Sequence, residues 1–331
     1  MARFDFCILL FISSFVILLI FITALEEQKY WKDLKLTQNK TNLITTPTLK
    51  STPKPQLNID LITGSEIPEN VIIEKPKLVH PNKKIIFIGV FTGHSSRNYE
   101  NRKMIRETWW NDVKELNNEY IVYNKFFVGK SNITKVNEFI KKENEVFNDM
   151  VILDFEDSYY NLWEKTYLIT KHVTECCNTD FYIKIDDDCF MNPRLFMLFA
   201  KSKLNDNMIF GNFVYNGLPY RSNDSVYYVS EKEYPKPRYP TYPCGIGYMI
   251  GKNVIMGFYK NAKNNLMHFR IDDVGVGIWI EQLRELSVVD TIFVNQKLGE
   301  CGENDAIVVH FKKTEQMRCM WNFSKGRGGC C

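Results

Sequence analysis

Phe181-Tyr182-Ile183-Lys184-Ile185-Asp186-Asp187-Asp188-Cys189-Phe190 is the stretch that decides the fold of this chain. An apolar, β-branched run that ends abruptly in three carboxylates reads as a buried strand delivering acids to the edge of a sheet. Side chains at i and i+2 of an extended segment share a face. Asp186 and Asp188 therefore reach one point together, while Asp187 faces away or into the following turn. Two hard oxygen ligands on one side of a strand end suit Mg²⁺ or Mn²⁺, with the remaining positions left to water and phosphate oxygens. Without a cation the like charges repel. Ligands of open α/β sheets bind beyond the carboxyl ends of the strands. The competing reading is plain strand-to-turn punctuation, for which Asp is equally suited.

Outward from this strand, the pattern alternates. Lys84–Phe91 is a continuous apolar run, hence a buried strand, followed by helical spacing over Glu100–Trp110. Tyr120–Val128 and Met150–Phe155 are strand-like, and Asn132–Phe147 and Asn161–Cys176 read as helices. The second half holds strand-like Met208–Tyr215 and a Pro/Tyr-rich loop leading to Gly245-Ile246-Gly247-Tyr248. A helix from Lys252, a loop to Asp272, a helix from Val274 and a strand at Thr291–Val294 follow. Strands alternating with helices predict an α/β fold with a mainly parallel central sheet covered on both faces. Residues 81–331 are long enough for one such domain with its own core.

Three further stretches can carry chemistry. Arg102 and Arg106 are i, i+4 on one helix face beside an apolar stripe of Ile105 and Trp109. They read either as the solvated basic edge of a packed helix or as cations facing an anionic ligand at the acidic strand end. Asp272-Asp273 precedes Val274-Gly275-Val276-Gly277; the pair reads as a helix cap or as a general base aimed into a cleft. His310, in Ala306-Ile307-Val308-Val309-His310-Phe311, reads as a satisfied core histidine or as a further ligand of a divalent site.

The amino-terminal part has a different character. Phe6–Leu25 is a run of twenty residues without a charge, long enough to span a bilayer as a helix. Arg3 precedes it and Glu26-Glu27 follow, so the positive-inside rule predicts a single-pass signal anchor with residues 1–5 in the cytosol and the rest on the far side. A cleaved signal fits less well, because the apolar run is long and no small-residue cleavage site follows it. Residues 26–80, with Thr45-Thr46-Pro47-Thr48 and Ser51-Thr52-Pro53-Lys54-Pro55, have the composition of an extended stem. Four N-glycosylation sequons, at Asn39, Asn132, Asn223 and Asn322, and eight of the nine cysteines lie beyond the span, in keeping with a lumenal location. Cys189, among apolar residues, reads as a buried free thiol. Cys330-Cys331 lacks the four-residue prenylation box and the topology keeps it from the cytosol. A net charge of +3 without a basic stripe gives no sign of nucleic-acid binding.

Taken in order, these stretches resemble the β-1,3-glycosyltransferases of the secretory pathway, a family that includes galactosyl- and N-acetylglucosaminyltransferases and, more distantly, the Fringe enzymes. The likeness runs from about residue 84 to residue 321. Arg102-Lys103 with Ile105-Arg106 and Thr108-Trp109 is similar to the family's R-R-x-x-I-R-x-T-W. Asp149–Thr166 is similar to its D-I-x-x-x-D-F-x-D-x-Y-x-N-L-T-x-K-T, and Lys184–Phe190 to its K-x-D-D-D-x-F. Phe127-Val128-Gly129, Tyr239–Tyr248, Asp272-Asp273-Val274 and Val309-His310 stand where further motifs of the family stand.

The resemblance implies a single catalytic domain of GT-A type and inverting transfer of a hexose, most often galactose, from a UDP-sugar to the 3-hydroxyl of a glycan on protein or lipid. It implies Mn²⁺ held by Asp188, Asp186 and His310, nucleotide-sugar contacts from Asp186, Asp187, Arg102 and Arg106, and Asp273 as the base. It also implies a Golgi membrane protein with its catalytic domain in the lumen. N-acetylglucosamine transfer, or an inactive glycan-binding or chaperone-like protein on the same fold, are the alternatives. Trp163, the position of Cys244, Gly275 and the absence of a cysteine in Ile278–Leu283 depart from the family pattern and bear on donor and acceptor choice.

Overall fold

A computed structural model describes residues 83–264, 269–283, 285–291, 294–295 and 306–328, all within one compact unit, Val71–Cys331. The proposed membrane span and stem lie outside the described residues. Among the described residues no helix is long and apolar enough to cross a membrane.

Three parallel strands, β1 (Ile85–Phe91), β2 (Ile121–Lys130) and β3 (Met150–Glu156), are joined by helices α1 (Ser96–Glu107) and α2 (Thr134–Phe147). Helix α3 (Leu162–Cys177) then feeds β4 (Phe181–Asp186), which pairs parallel to β1, with Phe91 opposite Asp186. The short β5 (Cys189–Met191), α4 (Pro193–Lys201) and β6 (Met208–Val214) follow. Next come β7 (Tyr242–Gly251), α5 (Lys252–Asn264) and α6 (Asp272–Glu281). Strands β8 (Ser287–Asp290), β9 (Val294–Asn295) and β10 (Val308–His310) and helix α7 (Thr314–Ser324) complete the described elements. The seven-stranded sheet runs β3-β2-β1-β4-β7-β6-β8, and β5-β10-β9 form a second sheet. Only β7 runs against its neighbours in the large sheet. The mainly parallel α/β sheet read from the sequence is therefore present.

Alternate side chains of β1 divide the core. Ile86, Ile88 and Val90 pack with Ile105 of α1, Phe196 of α4 and Met317 and Met320 of α7. Phe87 and Phe91 pack with Ile169 and Val173 of α3, Phe258 of α5 and Trp279 of α6. A strand buried on both faces cannot alternate polar and apolar residues, which is why β1 reads as an uninterrupted apolar run.

Some elements differ from their expected form. Of the strand placed at Thr291–Val294, Val294 lies in β9, Thr291 lies in no strand and residues 292–293 lie outside the described residues, while β8, at Ser287–Asp290, carried no expectation. Helices α4 and α7 carried no expectation. Helix α6 begins at Asp272 with Ile271 as its N-cap, and no side chain caps it, so neither Asp272 nor Asp273 is a cap. Cys176 and Cys177, at the end of α3, form a disulfide with each other, and Cys189 is a buried free thiol as expected.

Candidate active site

The carboxyl ends of β1 and β4 lie side by side, and the three acids leave that edge in different directions. Asp187 turns inward. Its Oδ2 accepts from the Thr92 hydroxyl at 2.5 Å and the Asn98 amide at 2.9 Å, and its Oδ1 accepts from Asn101 at 3.1 Å. This buried carboxylate ties the end of β4 to α1, so the expected role of Asp187 in nucleotide contact is corrected: its oxygens are taken by protein donors.

Asp186 is gripped from behind by the buried Lys184, whose Nζ lies 2.5 Å from Oδ1 and also donates to the Gly245 carbonyl. Burial raises the Asp186 pKa to about 6 against the opposing charge of Lys184. Burial alone would lower that of Lys184, but Asp186 and Asp272 outweigh it and raise it.

Asp188 faces the other way. Its Oδ2 lies 3.1 Å from His310 Nε2 and 3.6 Å from an Arg97 nitrogen. Burial would raise the Asp188 pKa, but the hydrogen bond from His310 and the charges of His310 and Arg97 hold it below the usual carboxylate range. The same hydrogen bond raises the pKa of His310. The register of the small sheet makes this contact: His310 pairs with Cys189 across β10 and β5, and the Phe311 amide donates to the Asp188 carbonyl at 3.0 Å. His310 is thus no core histidine.

Among the described residues no three of His, Cys, Asp and Glu converge as a metal-holding group. Of the expected set of Asp186, Asp188 and His310, Asp188 and His310 meet directly, while Lys184 holds one oxygen of Asp186. The pair itself fits Mn²⁺: a carboxylate oxygen and an imidazole nitrogen, both partly exposed, meet at 3.1 Å. That donor set suits a divalent ion that takes its other ligands from phosphate and water.

Arg102 and Arg106 point away from this edge. Arg102 is fully buried and makes two bonds to Glu143, at 2.9 and 2.6 Å, while its third nitrogen reaches Thr92 and Gly93. Arg106 grips both oxygens of Asp149, at 2.8 and 2.9 Å, and shares Glu143 at 2.8 Å. The structure therefore corrects both expectations for these arginines. They are neither a solvated edge nor ligands of a nucleotide, but an internal ion network that pins α1 to α2 and β3. Arg97, one turn earlier on the same helix, is the exposed guanidinium beside Asp188. No spacing in the sequence singled it out, because its partner comes from β4. Lys165 is a second unforeseen cation. It is buried, with Nζ 2.5 Å from the Thr92 carbonyl and 2.8 Å from Asp157, and locks α3 beneath the end of β1.

Asp273 lies in the first turn of α6, where the positive end of the helix dipole favours an anion. Gly245, whose carbonyl accepts from Lys184, stands beside it: a Cβ there would lie 3.6 Å from the Asp273 carboxylate. Asp273 thus lies on the same edge as Asp186. Burial first, and then the charge of Asp272, raise its pKa to about 7, against the hydrogen bond from the Val274 amide and the charge of Lys184.

Acids and an imidazole beyond the carboxyl ends of parallel strands are the arrangement of an α/β enzyme whose ligands bind at that edge. The sequence profile of the galactosyltransferase family matches residues 100–289, which span α1 to β8 and include Asp188 and Asp273. The chain belongs to the galactosyltransferase family and is a hexosyltransferase. It is 29% identical over 259 residues to "Beta-1,3-galactosyltransferase 1" of Mus musculus and of Homo sapiens, covering 76% of this chain and 77% of each relative. To "Beta-1,3-galactosyltransferase GALT1" of Arabidopsis thaliana it is 28% identical over 266 residues, 78% of this chain and 40% of that protein. Among solved structures, galactosyltransferase LgtC in complex with donor and acceptor sugar analogs aligns with a TM-score of 0.37 and 12% identity, over 69% of this chain and 87% of that one.

Proposed function

We propose that this protein transfers galactose from UDP-galactose to the 3-hydroxyl of an acceptor glycan, with inversion, at the edge bounded by Asp188 and Asp273. The reading rests on family membership, and the observation that carries it is the position of Asp273: a carboxylate with a raised pKa beside Gly245, whose carbonyl accepts from Lys184 of β4, the strand that ends in Asp186 and leads to Asp188. Its Oδ2 takes the proton of the acceptor 3-hydroxyl as that oxygen bonds to the anomeric carbon. The bond from that carbon to the diphosphate breaks, and its electron pair leaves with UDP. One base and no covalent intermediate suffice for inversion, as in the single displacement of inverting glycosidases. Asp188 and His310 would hold Mn²⁺, which when bound neutralises charge developing on the departing diphosphate. Arg97, 3.6 Å from Asp188, would add positive charge at the same end of the site. Asp272 keeps its neighbour's proton affinity high by like-charge repulsion. The GT-A type of fold, a lumenal position in the Golgi and anchoring through Phe6–Leu25 belong to the same proposal.

UDP release by the full-length protein, with Mn²⁺ and across a panel of UDP-sugars, tests it. Turnover is expected with UDP-galactose. Asp273→Asn lowers kcat by about 10²-fold or more without changing the KM for the donor, and Asp188→Ala removes the response to Mn²⁺. Preference for UDP-N-acetylglucosamine would replace the donor, and absence of UDP binding would overturn the reading.

A further inference from the structure

Beside Asp273 the surface carries an unusual concentration of exposed tyrosines. Tyr159 and Tyr160 stand in the turn after β3, and Tyr220 and Tyr227 stand on the long loop between β6 and β7. Each is between 45% and 65% exposed. They form one continuous array: the ring centroids of Tyr159 and Tyr160 are 6.4 Å apart, those of Tyr159 and Tyr227 6.5 Å, and those of Tyr227 and Tyr220 5.9 Å. Large aromatic faces left to water on a soluble surface mark a ligand site.

The array is held in place. Arg221 donates to the carbonyls of Val229, Tyr234 and Lys236, and the Val229 amide returns to the Tyr220 carbonyl at 2.9 Å. The inner side of this loop, Val229, Tyr234 and Tyr239, packs on Val274 and Ile278 of α6, the helix whose first turn carries Asp273. The charges of Asp272 and Asp273 also act on the Tyr159 hydroxyl, in keeping with a place for the array near the start of α6.

We propose that Tyr159, Tyr220 and Tyr227 form the platform on which a hexopyranose ring of the acceptor glycan stacks, presenting its hydroxyl to Asp273. The proposal rests on the transferase reading above and names its acceptor-side subsite. The occupant follows from the chemistry. A pyranose has an apolar C–H face that covers a phenol ring, and peripheral hydroxyls that meet tyrosine hydroxyls and water at the rim. The two carboxylates of α6 disfavour the diphosphate of the donor at this end. Arg97, with the cation site of Asp188 and His310, favours it at the other.

The test uses the full-length protein with methyl β-galactoside, methyl β-glucoside and methyl β-N-acetylglucosaminide as probes. Saturation-transfer NMR reads binding and UDP-galactose turnover reads transfer. The rings are exposed and their replacement leaves the core intact, so Tyr159→Ala and Tyr227→Ala should fold; Tyr227→Trp keeps a stacking face as a control. Expected is saturation transfer to at least one glycoside in the wild type, with KM for that glycoside raised about tenfold in either alanine variant. Tyr227→Trp should stay within about threefold of wild type, and the KM for UDP-galactose should be unchanged. No glycoside binding by the wild type overturns the proposal, as does a rise in donor KM alone, which would make the array a nucleotide site. Ring-dependent glycoside binding without UDP release from any donor supports the platform and overturns the transferase reading. Galactose transfer unaffected by both alanine variants overturns the platform and leaves that reading standing.

Discussion

Arg102 and Glu143 are a fully desolvated pair, exposed at 0% and 1% of their side chains, and Arg106 shares the same carboxylate. Removing the acid leaves two guanidinium groups facing each other in the core. Glu143→Ala should therefore lower the free energy of unfolding by about 3–5 kcal/mol, read by urea denaturation, while the KM for UDP-galactose stays within about twofold. A donor KM that rises with stability unchanged would return the arginines to the nucleotide. Asp273 makes a second prediction. Its pKa of about 7 is set by burial and Asp272 on its own helix and by Lys184 and Asp186 on β4, and its charge acts in turn on the hydroxyls of Tyr159, Tyr239, Tyr242 and Tyr248. A base acts only when unprotonated, so kcat/KM should fall tenfold per pH unit below about 7 and level off above it. A profile flat from pH 5 to pH 8 would remove Asp273 from that role. The acids and His310 were legible as residues because Asp and His are rare in apolar runs. Their partners were not: Arg102 meets an acid 41 positions away, in a helix whose Lys and Glu look solvated, and Arg97 needs the folded edge to meet Asp188.

Helix α6 and strand β7 are pressed together with no room between them. A Cβ on Gly277 would stand 2.6 Å from Tyr242 Cβ and 3.0 Å from the Thr241 carbonyl; between β7 and β4, one on Gly247 would stand 2.8 Å from Ile185. Both glycines allow close approach, and the contact at Gly277 fixes where α6 presents Asp273. Gly277→Ala should cost about 1–3 kcal/mol in stability, seen as a lower urea midpoint. Because α6 must shift, kcat should fall more than the KM of the donor rises; an unchanged kcat with lower stability would show that the shift does not reach Asp273. This packing also explains what the pattern concealed. Glycines at 245, 247 and 251 and a proline at 243 argue against a strand, so the pattern assigns no element between the Pro/Tyr-rich loop and the helix from Lys252, although each glycine of β7 answers a tertiary contact. The first half was plain because β1 and β4 are buried on both faces by helices of clear period. Three-residue strands such as β5 and β10 hold too few residues for any period, so the register that brings His310 to Asp188 exists only in the fold.

At the scale of the whole chain, the proposed topology and the described surface together constrain where sugars can be attached. If Phe6–Leu25 anchors the chain with its amino terminus in the cytosol, every sequon beyond it meets the glycosylation machinery; with the opposite orientation, none does. The fold then sorts the sequons. Asn132, beside α2, and Asn223, on the tyrosine-bearing loop, are exposed and lie outside regular structure. Asn322 is half-buried in the last turn of α7, between Trp321 and Phe323, which pack against the core, and its carbonyl accepts from Lys325 and Arg327. A large glycan there would have to displace this packing. Expressed in eukaryotic cells, the full-length chain should stay with membranes after alkaline carbonate extraction. Asn132→Gln and Asn223→Gln should each remove one endoglycosidase-sensitive step in mobility, and Asn322→Gln none. Absence of any glycan would reverse the topology, and with it the lumenal site of transfer. A glycan on Asn322 alone would leave the topology standing and place the last turn of α7 outside the packed domain when sugar is added, so that the ion pairs of Arg318 with Glu107 and of Lys325 with Asp112 form only afterwards.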